Sequence, residues 1–476
     1  MKLPDNNDEG TPDHACVPAQ PKVSSRRRLF IVGLIFFIAL GVRVLNWTAN
    51  RHLVPAVQTS VVLNYKHLAG LIRANGLASL YDASSSTSNP DLLGHPPGYP
   101  ILLSFVYRIA PESDTAAQLL QMILDSFAAV LIFLIAVELF PTAVGVLAGL
   151  MAAFAPQFSW NSILLLPDTL AALPILMAVL LITRTRQRPV GQAFLPVRPG
   201  SRNRQECLSY LLAGALIGVS CWLRANALLL APFMALLFTI ICKRGARLRP
   251  ALLLALGAFL MISPLTIRNS LVFGKFIPVS LGAGQTLVEG LADYNTDGSL
   301  GLPQTDMELI RGEAETFQRP DYANSLFTPD GPMRDRARLA RGFAVIRAHP
   351  FWFAGVMFRR AASMLRLERT PLRLAETEPV NWSRSFQWPL RTIQKLFITA
   401  LFLPLVLLGA GILIYQRQFQ SLAIVLAVPC YYFCTQSALH TEYRYVLVIH
   451  YFLFTLAAVA VYTMGCKTVA AWKAAR

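Results

Sequence analysis

Long apolar runs separated by short polar connections recur along the chain, at residues 29–46, 115–139, 141–157, 161–183, 207–222, 225–242, 250–268, 393–415, 419–437 and 444–465. An α-helix rises about 1.5 Å per residue, so roughly 20 apolar residues cross the hydrocarbon core of a bilayer. The pattern predicts a bundle of about ten transmembrane helices. A further apolar stretch, 100–109, is about half that length and predicts no crossing. Two long polar segments interrupt the runs, 47–113 and 270–392. In the first, Tyr65 to Gly76 sets Leu68, Leu71 and Ile72 against Lys66, His67 and Arg73, the spacing of an amphipathic helix lying on the membrane surface.

Composition narrows the class. Of 476 residues 54% are hydrophobic and 14% charged, against about a quarter charged in soluble domains. The fold class is all-α integral membrane, one bundle in lipid. The net charge of +17, from 43 Lys and Arg against 26 Asp and Glu, would suit nucleic acid if it lay along one soluble face. The basic residues collect instead in the connections: Arg26 to Arg28, 184–206, 243–249, Arg417 and 467–476. No nucleic-acid partner is expected. Alternating the sides puts every one of these clusters on a single face, which the positive-inside rule makes cytoplasmic. Both termini of this multi-pass protein of the plasma (inner) membrane are then cytoplasmic. Residues 1–28 read as a disordered tail, poor in apolar surface, and the first span as uncleaved. The segments 47–113 and 270–392 become extracytoplasmic, and 393–476 form the C-terminal transmembrane helices. The seven Cys show no metal-ligand spacing and read as small core residues.

Charges at the outer ends of the runs are the candidate chemistry. Asp168, after Leu166-Pro167, sits in an otherwise apolar span, where an unpaired carboxylate costs about 2.5–3.5 kcal/mol. It requires a partner, or else caps the helix that Pro167 begins. Arg224 and Arg268 break the cytoplasmic charge bias; two such side chains on one cavity can grip phosphate oxygens, whereas a lone one snorkels to headgroups. The turn His440-Thr441-Glu442-Tyr443-Arg444-Tyr445 offers Glu442 as a base and Arg444 as a phosphate ligand, against a capped helix start with interfacial tyrosines. His95-Pro96-Pro97-Gly98-Tyr99-Pro100 makes a rigid segment, read as a rim lined by His95 and Tyr99 or as a plain turn. Gly282 to Gly290, with Glu289, and Asp293 to Gly298 read mostly as turns.

The order of these landmarks resembles the GT-C membrane glycosyltransferases, in particular the family 39-like group of protein mannosyltransferases and lipid A aminoarabinose transferases. The likeness runs from Pro96-Pro97-Gly98-Tyr99-Pro100 through Pro167-Asp168, Leu223-Arg224-Ala225-Asn226 and Ser263-Pro264-Leu265-Thr266-Ile267-Arg268-Asn269. It continues into Phe273-Gly274-Lys275-Phe276, Ala348-His349-Pro350 with Phe351 and Phe353, and Glu442-Tyr443-Arg444-Tyr445. The resemblance implies a GT-C-like transmembrane module over 29–269 and transfer of a sugar from a polyprenyl-phosphate donor, the co-substrate, to a glycan, lipid or protein acceptor outside the cytoplasm, with membrane lipids around the groove. It implies catalytic roles for Asp168, Glu442 or Asp82 and phosphate binding by Arg224, Arg268 and Arg444. A divalent metal on the carboxylates is left open by the sequence. One departure stands out: where such proteins carry an acid about four residues before a tyrosine like Tyr65, this chain has Val61, and no Asp or Glu occurs from Asn46 to Leu80. Asp82 or Asp91 then substitutes, Asp168 or Glu442 does the work, or transfer has been lost. The alternative is a non-catalytic protein that binds or moves a polyprenyl-linked or other anionic lipid.

Overall fold

The computed structural model describes residues 24–57, 59–81, 94–187, 201–242, 247–368 and 381–474. Among them the ordered elements are all helices: α1 (Ser25–Asn50), α2 (Thr59–Asn75), α3 (Gly98–Ile109), α4 (Asp114–Leu139), α5 (Thr142–Phe154), α6 (Pro156–Asn161), α7 (Asp168–Gln187), α8 (Ser201–Leu223), α9 (Leu230–Ile241), α10 (Leu248–Phe273), α11 (Ala283–Ala292), α12 (Asp306–Thr316), α13 (Gly331–Ala348), α14 (Pro350–Met364), α15 (Asn381–Gln394), α16 (Thr399–Tyr415), α17 (Phe419–Gln436) and α18 (Leu447–Ala474), with short 3-10 turns between some of them. Most of the predicted tail lies outside the described residues. Its last residues do not: Ser24 caps α1, so Arg26 to Arg28 form that helix's first turn.

Among the described residues seven helices, α1, α4, α7, α8, α10, α17 and α18, are long and apolar enough to span a bilayer, and the pair α15–α16, bent by 57°, makes an eighth if counted as one broken span. This is an integral membrane protein. With that pair counted, the total is two below the ten predicted, because two apolar runs fold into shorter pieces. Pro156 starts a new helix after α5, leaving α5 only 13 residues, about 20 Å of rise. α9 begins only after a 3-10 turn at Ala225–Ala227. The stretch from Gly98 to Ile109 is a 12-residue helix, too short to cross.

The two ends of the bundle differ. Arg28 of α1 and Arg184 of α7 both pair with Glu138 of α4, at 2.7 and 3.2 Å, which gathers basic residues at one end. At the other, Trp47 near the end of α1 donates to Gln118 near the start of α4 (2.9 Å). Between the ends lies one large apolar core. It contains an ion pair that the hydrophobic pattern conceals: Arg43 Nε donates to Asp125 Oδ2 at 2.6 Å, both side chains fully buried. The Tyr451 hydroxyl donates to Asp125 Oδ1 at 3.0 Å, and its ring stacks on Phe158 at 3.9 Å.

Helices α11 to α13 pack around a small core of their own, Leu287, Val288, Leu291, Leu302 and Leu309, against Trp352 and Phe353 of α14. Below it Glu313 binds both Arg334 and Arg338 (2.8 and 2.6 Å). This unit is clasped to the loop after α17. His440 N donates to Thr286 O (2.7 Å), and Arg360 donates to Ser437 O (2.9 Å) and to Gly290 O. A Cβ at Gly290 would lie 2.4 Å from His440 N, so only glycine lets the two backbones meet.

Candidate active site

Asp168 owes its position to α4. The non-helical segment between α6 and α7 is buried at Ile163 to Leu166, and its carbonyls, lacking helical partners, take side-chain donors instead: Gln118 Nε2 to Ile163 O at 2.9 Å and Gln121 Nε2 to Leu164 O at 2.7 Å. Held this way, the segment delivers Asp168 as the first residue of α7, where the helix N-terminus favours a carboxylate. Asp168 Oδ1 accepts from Arg224 at 2.7 Å. Asp168 Oδ2 is buried and has no hydrogen-bond partner.

Arg224 follows α8 in an extended conformation, which turns its side chain out of the helical path. Its guanidinium lies 4.3 Å from the Tyr445 ring centroid. Arg444, on the turn before α18, is neutralised by Glu442 (Nε–Oε2 2.8 Å, Nη2–Oε1 2.9 Å), while the Tyr445 hydroxyl donates to the same Glu442 Oε1 at 3.2 Å. Arg444 Nη1 and Asn226 Nδ2 are buried without hydrogen-bond partners. Asp168, Arg224, Asn226, Tyr432, Arg444 and Tyr445 line one small cavity with Ala171, Ala172, Leu447 and Val448. Buried polar atoms are normally paired, so a carboxylate oxygen, a guanidinium nitrogen and an amide nitrogen left open around one cavity mark a place for a polar ligand. The ligand would meet two arginines and one acid.

The first polar segment supplies the adjoining wall. A Cβ at Gly98 would come within 2.4 Å of Trp222 O, so glycine permits α3 to start against the end of α8, beside Arg224. Tyr65 of α2 packs its ring at 5.4 Å from His95 and 5.1 Å from Tyr99. Burial, with Arg224 and Arg444 nearby, pushes His95 down to about 4, so at neutral pH it offers an uncharged imidazole. Tyr99 is not on a rim as expected: it is fully buried, because its hydroxyl donates to Gln121 Oε1 at 2.5 Å and ties α3 to the side chain that fixes the Asp168 segment.

One other expectation changes. Arg268 does not line the cavity. Its Nε donates to Leu80 O and its Nη1 to Asn269 Oδ1, both at 2.7 Å, and it stacks on Phe273 at 5.2 Å, so it fastens the turn after α2 to α10. The partner of Arg224 in the cavity is Arg444. Asp82 and Asp91 lie outside the described residues. Among the described residues no group of three or more His, Cys, Asp and Glu could hold a metal ion; Asp168 and Glu442 each face an arginine. Gln118 and Gln121 escaped the sequence reading, and Tyr65 entered it only as the start of an interfacial helix and as the marker of the missing acid. The two glutamines carried a signal, being three residues apart on one face of an apolar run.

Next to Glu442, His440 Nδ1 lies 2.9 Å from Asp293 Oδ2, and that hydrogen bond raises the imidazole's pKa. On α11, burial and the neighbouring Asp306 push Glu289 up to about 8. A carboxyl that is protonated in the fold but ionised when unfolded contributes stability below the unfolded value, and this is lost as pH rises through the folded one. Thermal stability of the native protein is therefore expected to fall between about pH 5 and pH 8 by more than that of Glu289→Gln. His95 acts in the opposite direction, losing stability as pH falls towards about 4, but equally in both proteins. Unfolding midpoints across a pH series give the difference; parallel curves would dismiss the buried carboxyl.

Known proteins share this architecture. A family model of dolichyl-phosphate-mannose-protein mannosyltransferases matches residues 94–267, a span that includes His95, Tyr99, Asp168 and Arg224 but not Arg444. The archaeal oligosaccharyltransferase AglB from Archaeoglobus fulgidus, solved with an inhibitory peptide and a dolichol-phosphate, superposes with a TM-score of 0.53 at 15% identity, over 94% of this chain and 52% of AglB. By fold, the chain is similar to this oligosaccharyltransferase. A second structure of the Archaeoglobus fulgidus oligosaccharyltransferase, tethered to an acceptor peptide, gives a TM-score of 0.51 at 16% identity, covering 93% of this chain and 50% of the other. The chain thus spans about half the length of these matches. ArnT from Cupriavidus metallidurans bound to undecaprenyl phosphate also matches, at 13% identity over 92% of this chain and 78% of ArnT, but its TM-score of 0.35 is too low to bear on the fold. No curated protein matches the sequence.

Proposed function

We propose that this chain is a GT-C-type transferase that passes a sugar from a polyprenyl-phosphate donor to an acceptor outside the cytoplasm. The carrying observation is the buried Asp168 with one free oxygen, facing the cavity that Arg224 and Arg444 also line. The acceptor hydroxyl attacks the anomeric carbon, its proton passes to Asp168 Oδ2, and the bond to the lipid phosphate breaks. The negative charge that then grows on the departing phosphate is met by Arg444 Nη1 and the Arg224 guanidinium. Glu442, engaged with Arg444 and Tyr445, aims Arg444, and neutral His95 donates or accepts a hydrogen bond at the wall. The dolichol-phosphate bound by the oligosaccharyltransferase of the same fold supports a lipid-phosphate donor.

The outward orientation rests on the basic end of the bundle, with Arg28 and Arg184 on Glu138, being opposite the cavity. A cysteine placed at Leu195 is expected to react with a membrane-impermeant reagent only after the cytoplasmic face is opened. Labelling from outside in intact cells would invert the assignment.

One observation favours the non-catalytic alternative: Val61 is partly buried in an apolar cluster with Trp47 and Val62, so α2 brings no acid to the cavity. Purified protein in lipid, given a panel of polyprenyl-phosphate sugars with and without acceptors and divalent metals, separates the readings. Release of polyprenyl phosphate supports transfer; tight donor binding with no release under any condition supports lipid binding. In either case Arg444→Met is expected to weaken donor binding roughly tenfold to a hundredfold, the worth of one charge-assisted hydrogen bond, measured by titration with polyprenyl phosphate. Unchanged affinity removes Arg444 from the phosphate site.

A further inference from the structure

Helix α14 carries an apolar face that nothing among the described residues covers. Its inward side is fully used. Trp352 and Phe353 pack on the α11–α13 core, Val356 and Arg360 are buried, and Met364 with Leu367 joins the core of the spanning helices. Its outward side is a stripe at helical spacing, Phe351, Ala354, Gly355, Phe358, Arg359 and Ala362, all exposed. Phe351 is 92% exposed and Phe358 77%, and moving rings of that size out of water is favourable.

The surroundings fix what this stripe meets. Arg360 donates to Ser437 O, just past the end of span α17. Beyond the helix, Leu367 N donates to the Thr399 hydroxyl (2.8 Å), and Glu368 accepts from Thr399 N (2.6 Å), at the first residue of span α16. α14 is thus pinned at both points to the ends of membrane-crossing helices, level with the bilayer surface. From Ala348 to Leu367 the chain holds no Asp or Glu, while Arg359 and Arg366 are exposed beside the aromatic rings. The approach to α16 repeats the pattern: in α15 Trp388 is 76% exposed, Arg391 and Lys395 are exposed next to it, and the backbone then bends by 57° into the span. Apolar rings rimmed by cations, with no Asp or Glu in α14 or α15 themselves, suit the boundary between acyl chains and anionic headgroups.

We propose that α14 is an interfacial helix that sinks Phe351 and Phe358 into a leaflet bearing anionic headgroups, anchoring the α11–α13 unit to the membrane beside the cavity. This does not rest on the chain being a transferase. The full-length protein is reconstituted in phosphatidylglycerol–phosphatidylethanolamine vesicles with the photoreactive analogue p-benzoylphenylalanine replacing Phe351, Phe358, Phe259 or Phe317 in turn, so that each site keeps an aromatic side chain. Phe259, exposed on span α10, is the lipid-facing control, and Phe317, exposed at the end of α12, the water-facing one. Lipid adducts at 351 and 358 are expected at the level of 259 and several-fold above 317, read by mass spectrometry. Adduct yields at the level of 317 would overturn the proposal. So would cross-links from 351 or 358 to a second copy of the chain, which would assign the stripe to an interface between copies.

Discussion

Asp168→Asn is expected to lower the rate of polyprenyl-phosphate release by about 10² to 10⁴, the usual contribution of a positioned general base, while leaving donor binding nearly intact. The substitution suits the test because it preserves shape: the amide oxygen still accepts from Arg224, and the segment held by Gln118 and Gln121 is untouched. What disappears is the proton-accepting oxygen that faces the cavity, Oδ2. The change also removes the negative charge opposite Arg224, so unfolding midpoints of both proteins are needed to show that the variant is folded at the assay temperature. Single-turnover release and donor titration then divide the effect between chemistry and binding. If release persists at the native rate, Asp168 is only the helix-capping partner of Arg224, and the base lies at Glu442 or in the first polar segment, at Asp82 or Asp91.

Charge in apolar surroundings is what the sequence made legible. Asp168, Arg224, Glu442 and Arg444 each stand at the end of an apolar run, where an ionised group is costly enough to need a reason, and all four meet around one cavity or hold a residue that lines it. The same logic failed for Arg268. Its position in the pattern matches that of Arg224, but the backbone of Leu80 and the side chain of Asn269 take its donors, and no local feature of the sequence foretells a partner so far along the chain. Tyr99 failed for a related reason: a tyrosine after Pro-Pro-Gly reads as surface, whereas Gln121 receives its hydroxyl inside. Spans shortened by Pro156 were countable as apolar runs but not as crossings, because hydropathy does not report where a helix is broken.

Asp125→Ala is expected to cost about 3–5 kcal/mol of stability, the usual penalty for leaving one member of a buried ion pair behind. Arg43 is fully buried on α1, its Nε is held by Asp125, and among the described residues Asp125 is further anchored by the hydroxyl of Tyr451 on α18. Removing the carboxylate strands a guanidinium in an apolar core and frees a tyrosine hydroxyl, so three helices lose a common point. The pair itself is not expected to add much over packing: Arg43→Leu combined with Asp125→Leu should recover most of the loss, since matched apolar side chains often equal or exceed a buried pair. Unfolding in mixed micelles of the two single variants and the double one gives the coupling directly. The pair went unnoticed in the sequence because its members are 82 residues apart, each inside a long apolar run. A double variant as unstable as Asp125→Ala would mean that α1, α4 and α18 need the polar contact itself, and it would move the triad from packing to function, since α4 also carries the glutamines that seat the Asp168 segment.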